Sequence, residues 1–324
     1  MTASVSIAVL RRRELYEPLE DRRARRMLAD GTWVRVAPGA FVMGADGRQL
    51  SPVAQHCLRV QEVMARVRAP ALVSHFAAAA VWGIDVLGAW PTRVEVTVDR
   101  ATGGRSGGAI TRRALGRDGR MSVPFGRHRI TTPAQTALDI ARLLPFLRAV
   151  TAIDQALWTG RAGGALTTAA EIEALLDDKR PVRGDARARR ALASSAPQSA
   201  SVRETHVRLL VAALGFPPTR LQERRVLRSG RLVYGDLYFP DADHWLEIDG
   251  RGKYLSPEHT AGRTPAAIVI DEKNRENEIH REVRGFSRLE ATDADRPQRV
   301  YDILTADGLR SIKPRPHSRD PVLR

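Results

Sequence analysis

Three carboxylates and a lysine in the last third of the chain have the types and spacing for metal-assisted phosphate chemistry. The stretch runs Gly235-Asp236-Leu237-Tyr238-Phe239, then His244-Trp245-Leu246-Glu247-Ile248-Asp249-Gly250-Arg251-Gly252-Lys253-Tyr254. It reads as two short strands joined by a turn at Pro240-Asp241-Ala242-Asp243. Side chains alternate faces along a strand, so Glu247 and Asp249 point the same way, and Asp236 on the preceding strand can stand beside them. Carboxylates gathered on one sheet face repel each other and lose hydration unless something positive neutralises them. A divalent cation does this, and hard oxygen donors suit Mg²⁺ or Mn²⁺. Lys253, past the Gly-Arg-Gly bend, can approach the cluster from its edge.

Asp236, the Glu247-x-Asp249-Gly250-Arg251-x-Lys253-Tyr254 run, Glu204 and Asp271-Glu272-Lys273-x-Arg275-Glu276 together resemble the PD-(D/E)xK nucleases, and among them the DUF559/Vsr-like branch. The resemblance implies a restriction-endonuclease-like α/β/α domain in which Asp236, Glu247 and Asp249 hold Mg²⁺ or Mn²⁺. It also makes Glu204 an accessory metal or water ligand, although a carboxylate in a first helical turn is equally what the helix dipole favours. The wider pattern places Lys at position 249, where this chain has Asp, so a lysine role falls to Lys253 or Lys273.

The charge distribution points the same way. The 324 residues carry a formal charge of +15, which favours a polyanionic partner, with DNA first among them. From 179 to 231 there are thirteen Lys and Arg against three Asp and Glu, and from 232 to 290 eight against twelve. A basic approach beside an acidic centre suits a nuclease: cations grip phosphates and carboxylates hold metal. Arg251, Lys273 and Arg275 are the nearby candidates for phosphate contact, and Lys273 and Arg275 could instead aim at the carboxylates. The single cysteine, Cys57, excludes an intrachain disulfide and a cysteine-rich zinc site. Neither a signal peptide nor a membrane span is expected, so the sequence reads as cytoplasmic.

The elements around the site follow from periodicity and punctuation. Leu10, Leu15, Leu19, Ala24, Met27 and Leu28 have loose helical spacing, broken by Pro18 and ended by Gly31. A hairpin follows, Thr32–Val36 and Ala40–Met43 around Pro38-Gly39. The run Ala29–Phe41 resembles the winged-helix N-terminal domain of AbiEi-family antitoxins. That resemblance implies DNA recognition, with Arg22, Arg23, Arg25 and Arg26 on its second helix as contacts. Helices are expected around 53–67 and 72–82, with Ser74 capping the second, and strands at 93–98 and 109–113. Further helices are expected from Pro133, near 146–158, 167–178 and 184–195, over 202–214 and over 266–285, with a closing strand at 286–290. His75 and Asp139 read as structural, Asp139 pairing with an arginine.

The expected fold class is therefore α+β: a winged-helix-like module (1–50), a mixed middle domain (51–195), the nuclease-like domain (196–310) and a disordered basic tail (311–324). The Ser/Pro-rich stretch 194–201 marks the main boundary. Two functions compete with metal-dependent DNA cleavage. One is a non-catalytic DNA-binding regulator of antitoxin type. The other is a partner-binding protein in a toxin–antitoxin or phage-defence setting.

Overall fold

The computed structural model describes residues 7–14, 21–99, 101, 106–116, 119–177, 182–249 and 265–317. The protein is mixed α and β, and the chain divides into two compact units, Met1–Ser195 and Ala196–Arg324. No helix among the described residues is long and apolar enough to cross a membrane.

The first unit opens with β1 (Leu10–Arg11), α1 (Asp21–Ala29), β2 (Trp33–Ala37), β3 (Ala40–Met43), α2 (Gly44–Gln49) and α3 (Pro52–Met64). The strands form an antiparallel sheet in the order β1-β3-β2. Gly39 turns the hairpin at φ +66°, a conformation that disfavours a Cβ. Residues 10 and 11, expected in a helix, are instead strand. Leu10 pairs with Phe41, and the Arg11 guanidinium reaches Glu62, 51 residues away, with Nη2–Oε1 at 2.6 Å. A tertiary ion pair outweighs weak helical spacing here.

β4 (Leu72–Val73), α4 (His75–Trp82), β5 (Val94–Val98), β6 (Ile110–Ala114), β7 (Ser122–Phe125) and β8 (His128–Thr131) follow. Their five-stranded mixed sheet has the order β6-β5-β4-β8-β7. Leu72–Val73, expected to be helical, is a short inner strand of β-branched and apolar residues. Helices α5 (Pro133–Leu143), α6 (Phe146–Leu157), α7 (Ala169–Asp177) and α8 (Asp185–Ala193) complete the unit. Thr132 caps α5 by accepting the Gln135 N–H at 3.3 Å. Ser74 does not cap α4; its hydroxyl instead meets His75 Nδ1 and accepts from Thr97 Oγ1, both at 2.9 Å. Asp139 pairs with Arg120, as expected.

Val36, Ala40 and Val42 of the hairpin bury in the same core as Cys57, Val60, Val73, Ala77 and Val96. The boundary expected at residue 50 therefore does not separate two cores.

The second unit runs α9 (Val202–Ala213), β9 (Arg220–Val226), β10 (Leu232–Phe239), β11 (His244–Asp249), α10 (Pro265–Glu282), β12 (Gly285–Glu290) and α11 (Pro297–Ala306). Its sheet order is β12-β11-β10-β9, antiparallel except for the parallel pair β11–β12. Alternation assigns the faces. Leu237, Phe239, Leu246 and Ile248 pack with Val207, Leu210 and Val211 of α9 and Val300 and Leu304 of α11. Tyr238 and Trp245 point the other way, onto Ile279 of α10 and Val283 just beyond its end. The sheet thus lies between two helical layers.

Residues 311–317, expected in the disordered tail, are held in place. Ser311 Oγ donates to Leu214 O at 2.7 Å, Lys313 Nζ to Ala213 O at 2.9 Å, and Ile312 N to Gly215 O at 3.0 Å. These donors satisfy the carbonyls left open at the end of α9, which fixes the segment. Arg315 adds a two-pronged pair to Asp302 at 2.6 and 2.7 Å.

Each unit also buries a neutral histidine. Burial, helped by Arg59, lowers His56 in the first unit to about 4, and burial likewise lowers His206 of α9 to about 4. Both folded values lie below the ordinary value near 6.5, so the unfolded chain takes up protons first as pH falls. Stability is full above about 6.5 and is lost from there down to about 4. At pH 5 each histidine lowers stability by up to about 2 kcal/mol. Urea midpoints measured between pH 7 and pH 5 check this. His206→Gln and His56→Gln variants with unchanged slopes would show that other groups govern the acid transition.

Candidate functional site

Two candidate carboxylates of the second unit, Asp236 and Glu247, fall along one line across its sheet. Glu247 on β11 stands opposite Arg288 on β12. Between β10 and β11 the pairing steps from Phe239↔His244 through Tyr238↔Trp245 to Leu237↔Leu246 and stops. One step further Asp236 would face Glu247. There the strands part, and Asp236 Oδ2 accepts the Ile248 N–H at 2.8 Å, a side chain standing in for a ladder bond. On the other side of β10 the register is unbroken but the Asp236–Gln222 pair between Gly235↔Glu223 and Leu237↔Leu221 is not made, and Gln222 sits there at φ +49°. Across the four strands the row reads Gln222, Asp236, Glu247, Arg288.

The helices add three more side chains. Ser201 caps α9 by accepting the Glu204 N–H at 3.1 Å, and Glu204 Oε2 accepts from Ala200 N at 2.9 Å. This is a capping-box exchange displaced by one residue, so Glu204 has a structural role at the helix start. It also accepts from Gln222 Nε2 at 3.0 Å. Burial, and then the nearby Asp236 charge, raise the Glu204 carboxyl above the ordinary range. From α10, Arg275 Nη2 reaches Glu247 Oε2 at 2.9 Å, and Glu276 Oε2 lies 3.2 Å from Arg288 Nη1.

Glu247 is the most densely engaged of these acids. Its Oε2 takes Arg275 and Arg288, the latter at 3.3 Å, and its Oε1 accepts from Trp245 Nε1 at 3.3 Å. Arg288 also lies 3.5 Å from Asp249. Burial alone would lower the Arg288 pKa, but Asp249, Glu276 and Glu247 outweigh it and raise it above the usual guanidinium range. One guanidinium therefore serves three carboxylates.

The expected site is thus reshaped. Glu247 and Asp249 share a face and a partner, but arginines neutralise Glu247. Asp236 is coupled to Glu204 and to the β11 backbone. Among the described residues no three His, Cys, Asp or Glu side chains gather closely enough to hold a metal ion. In donor chemistry the set still suits a hard divalent cation. Glu204 and Asp236 are both buried, and burial first, then the Asp236 charge, raises the Glu204 carboxyl, a cost that a cation between them would relieve.

Arg275, expected at phosphate or at the carboxylates, is on Glu247, while Lys273 is exposed on α10. Arg251 and Lys253 lie outside the described residues. Arg22, Arg23, Arg25 and Arg26 are exposed on α1 of the first unit. Sequence reasoning missed Gln222, Trp245 and Arg288. The signal for Arg288 was present, a guanidinium inside the short strand that closes the sheet.

No protein-family model matches the chain, and no curated protein matches it.

Proposed function

We propose that the second unit is a restriction-endonuclease-like domain of the PD-(D/E)xK kind that hydrolyses DNA phosphodiesters with Mg²⁺ or Mn²⁺. The observation that carries this reading is the Gln222–Asp236–Glu247–Arg288 row, set where β10 and β11 part and flanked by Glu204. The element order, a helix, three antiparallel strands, a helix and a parallel strand, also supports it. Asp236 and Glu247 would hold the metal, with Asp249 and Glu204 in support. Bound metal polarises phosphate and lowers the pKa of water. The chain's own residues prepare the place: Trp245 Nε1 orients Glu247, and Ile248 N–H fixes Asp236. Arg275 and Arg288, both paired with Glu247, would compete with a metal held there, and a guanidinium given up by Glu247 could serve phosphate.

The test is nicking of supercoiled plasmid by the full-length protein with Mg²⁺ or Mn²⁺. The expected result is cleavage that falls to the metal-free level in Asp236→Asn and Glu247→Gln proteins. Cleavage that persists in both variants would assign the activity to another site. An intact protein inert with either metal would end the catalytic reading.

One observation favours the second reading, a non-catalytic DNA-binding regulator of antitoxin type working with a toxin or defence-system partner. Two guanidiniums already neutralise Glu247, as a retained scaffold would require. Sequence-specific DNA binding without metal, abolished by substituting Arg22, Arg23, Arg25 and Arg26, would establish it.

A further inference from the structure

The sheet of the second unit narrows at one end. β11 pairs with β10 only over Leu237–Phe239, whereas β9 pairs with it back to Leu232. From Leu232 to Gly235, β10 pairs with β9 alone, and the two strands form a ribbon closed by the turn 227–231. One face of this ribbon is covered. Val233 packs with Leu227, Trp245 and Ile279, and Arg225 lies over the Tyr238 and Trp245 rings. Three acids of α10 hold the turn. Asp271 pairs with Arg231 at 3.1 Å, Glu278 accepts from Ser229 Oγ at 2.7 Å, and Glu282 accepts from Arg228 N at 2.6 Å. Spacings of seven and four residues put these acids on one stripe of the helix, so the ribbon is fixed in advance.

The other face is open. Strand alternation places two cross-strand pairs on it, Leu232 with Val226 and Tyr234 with Arg224. Val226, Leu232 and Tyr234 are 55, 42 and 53% exposed. Apolar residues scattered singly over a surface need no explanation, but these three sit in adjacent pairs with an arginine as the fourth member. Arg220 and Arg228 are exposed on the same strand and turn. β9 is the edge strand, and its Arg220, Arg224 and Arg225 face the single acid Glu223 in number. A second copy laid along this edge would set arginine against arginine, which is unfavourable. A polyanion with apolar surface between its charges is the complement of the patch.

We propose that this ribbon docks its open face into the major groove of duplex DNA, with Arg224 and Arg228 on phosphates and Val226, Leu232 and Tyr234 turned to the groove. Two strands about 4.8 Å apart, with their side chains, fill a groove about 12 Å wide, and thymine methyl groups there offer apolar contact. Tyr234 and Arg224 stand two residues from Asp236 and Gln222, about 7 Å along the strands. DNA held by the ribbon therefore runs past the carboxylate row. The inference rests on the DNA-binding part of the reading above and is independent of metal and cleavage, so its test omits both.

The experiment is fluorescence anisotropy of a labelled DNA duplex with the full-length protein, across a salt series in metal-free buffer. It compares the intact protein with an Arg224→Gln/Arg228→Gln double variant, a Tyr234→Ser variant and an Arg310→Gln control, an exposed arginine past the end of α11. Each lost phosphate contact flattens the slope of log Kobs against log salt by about 0.9, so the double variant is expected to be shallower by roughly 2. Tyr234→Ser is expected to bind about tenfold more weakly at an unchanged slope, because the contact it removes is uncharged. An RNA duplex, whose major groove is too deep and narrow for a ribbon, is expected to bind the intact and Tyr234→Ser proteins alike. Slower hydrogen exchange at residues 224–234 of the intact protein on adding DNA duplex needs no variant, and it carries the test if a variant does not fold. Duplex binding that neither variant alters, or an equal flattening in the control, would overturn the ribbon and leave the DNA-binding reading standing. No duplex binding by the intact protein would end that reading and the ribbon together. A dimer in sedimentation that Tyr234→Ser dissolves, with DNA binding unchanged, would overturn the proposal by assigning the face to a second copy.

Discussion

Gly235→Ala destabilises the second unit by about 3 kcal/mol, at the upper end of what overpacking a core costs. A Cβ at position 235 would lie 2.3, 2.4 and 2.8 Å from three atoms of the Trp245 indole. Such contacts are harmless where a side chain can swing away, and this ring cannot. Trp245 is fully buried. Tyr238 meets it edge-on at 6.1 Å, Arg225 lies 5.5 Å from its centre, and its Nε1 donates to Glu247. Relief must come from moving the strand or from breaking the bond that orients Glu247. The damage therefore reaches the candidate site as well as the core. Urea unfolding followed by hydrogen exchange at residues 232–249 measures it, with residues 94–98 of the first unit as the internal reference. A loss below 1 kcal/mol would mean that the indole is not confined as described.

The same strands show what a sequence can and cannot disclose. β10 and β11 were legible because one face of each is apolar and the other carries the site, giving a clear period of two. β9 was not, because Arg220, Gln222, Glu223, Arg224 and Arg225 put charge and amide on an edge strand, where such residues are ordinary. The acids of the site were legible by type and spacing. Their counter-ions were only partly so: Arg275, 28 residues beyond Glu247 on a helix, was open to the carboxylates, but Arg288, 41 residues beyond it across a parallel crossover, gave no local sign of pairing. Charge balance is a tertiary property, so a run of carboxylates invites a metal until the arginines are in place. The tail was misread for a related reason: low hydrophobicity suggests disorder, but the carbonyls at the end of α9 needed donors, and Ser311 and Lys313 supply them.

That charge balance yields the sharpest test of the metal reading. Arg288→Met leaves Glu247, Asp249 and Glu276 without their shared guanidinium. Breaking a fully buried ion pair costs about 3–5 kcal/mol. The Arg288 side chain is 31% exposed and Glu247 keeps Arg275, so the loss expected in metal-free buffer is about 2 kcal/mol. A purely structural ion pair predicts nothing more. A metal site predicts a second effect of opposite sign: Mg²⁺ no longer competes with Arg288, so its affinity rises, on the order of tenfold for 1.4 kcal/mol of relieved competition. Ligand that binds only the folded state stabilises it by about 2.7 kcal/mol at a hundred times its Kd. Saturating Mg²⁺ should therefore restore the variant nearly to the stability of the intact protein, and a Glu247→Gln/Arg288→Met protein should gain nothing from it. Paired urea titrations with and without Mg²⁺ separate the cases without measuring catalysis. Instability that Mg²⁺ leaves untouched would make Arg288 a structural counter-ion, and the row across the sheet would then belong to a DNA-binding scaffold rather than to a nuclease.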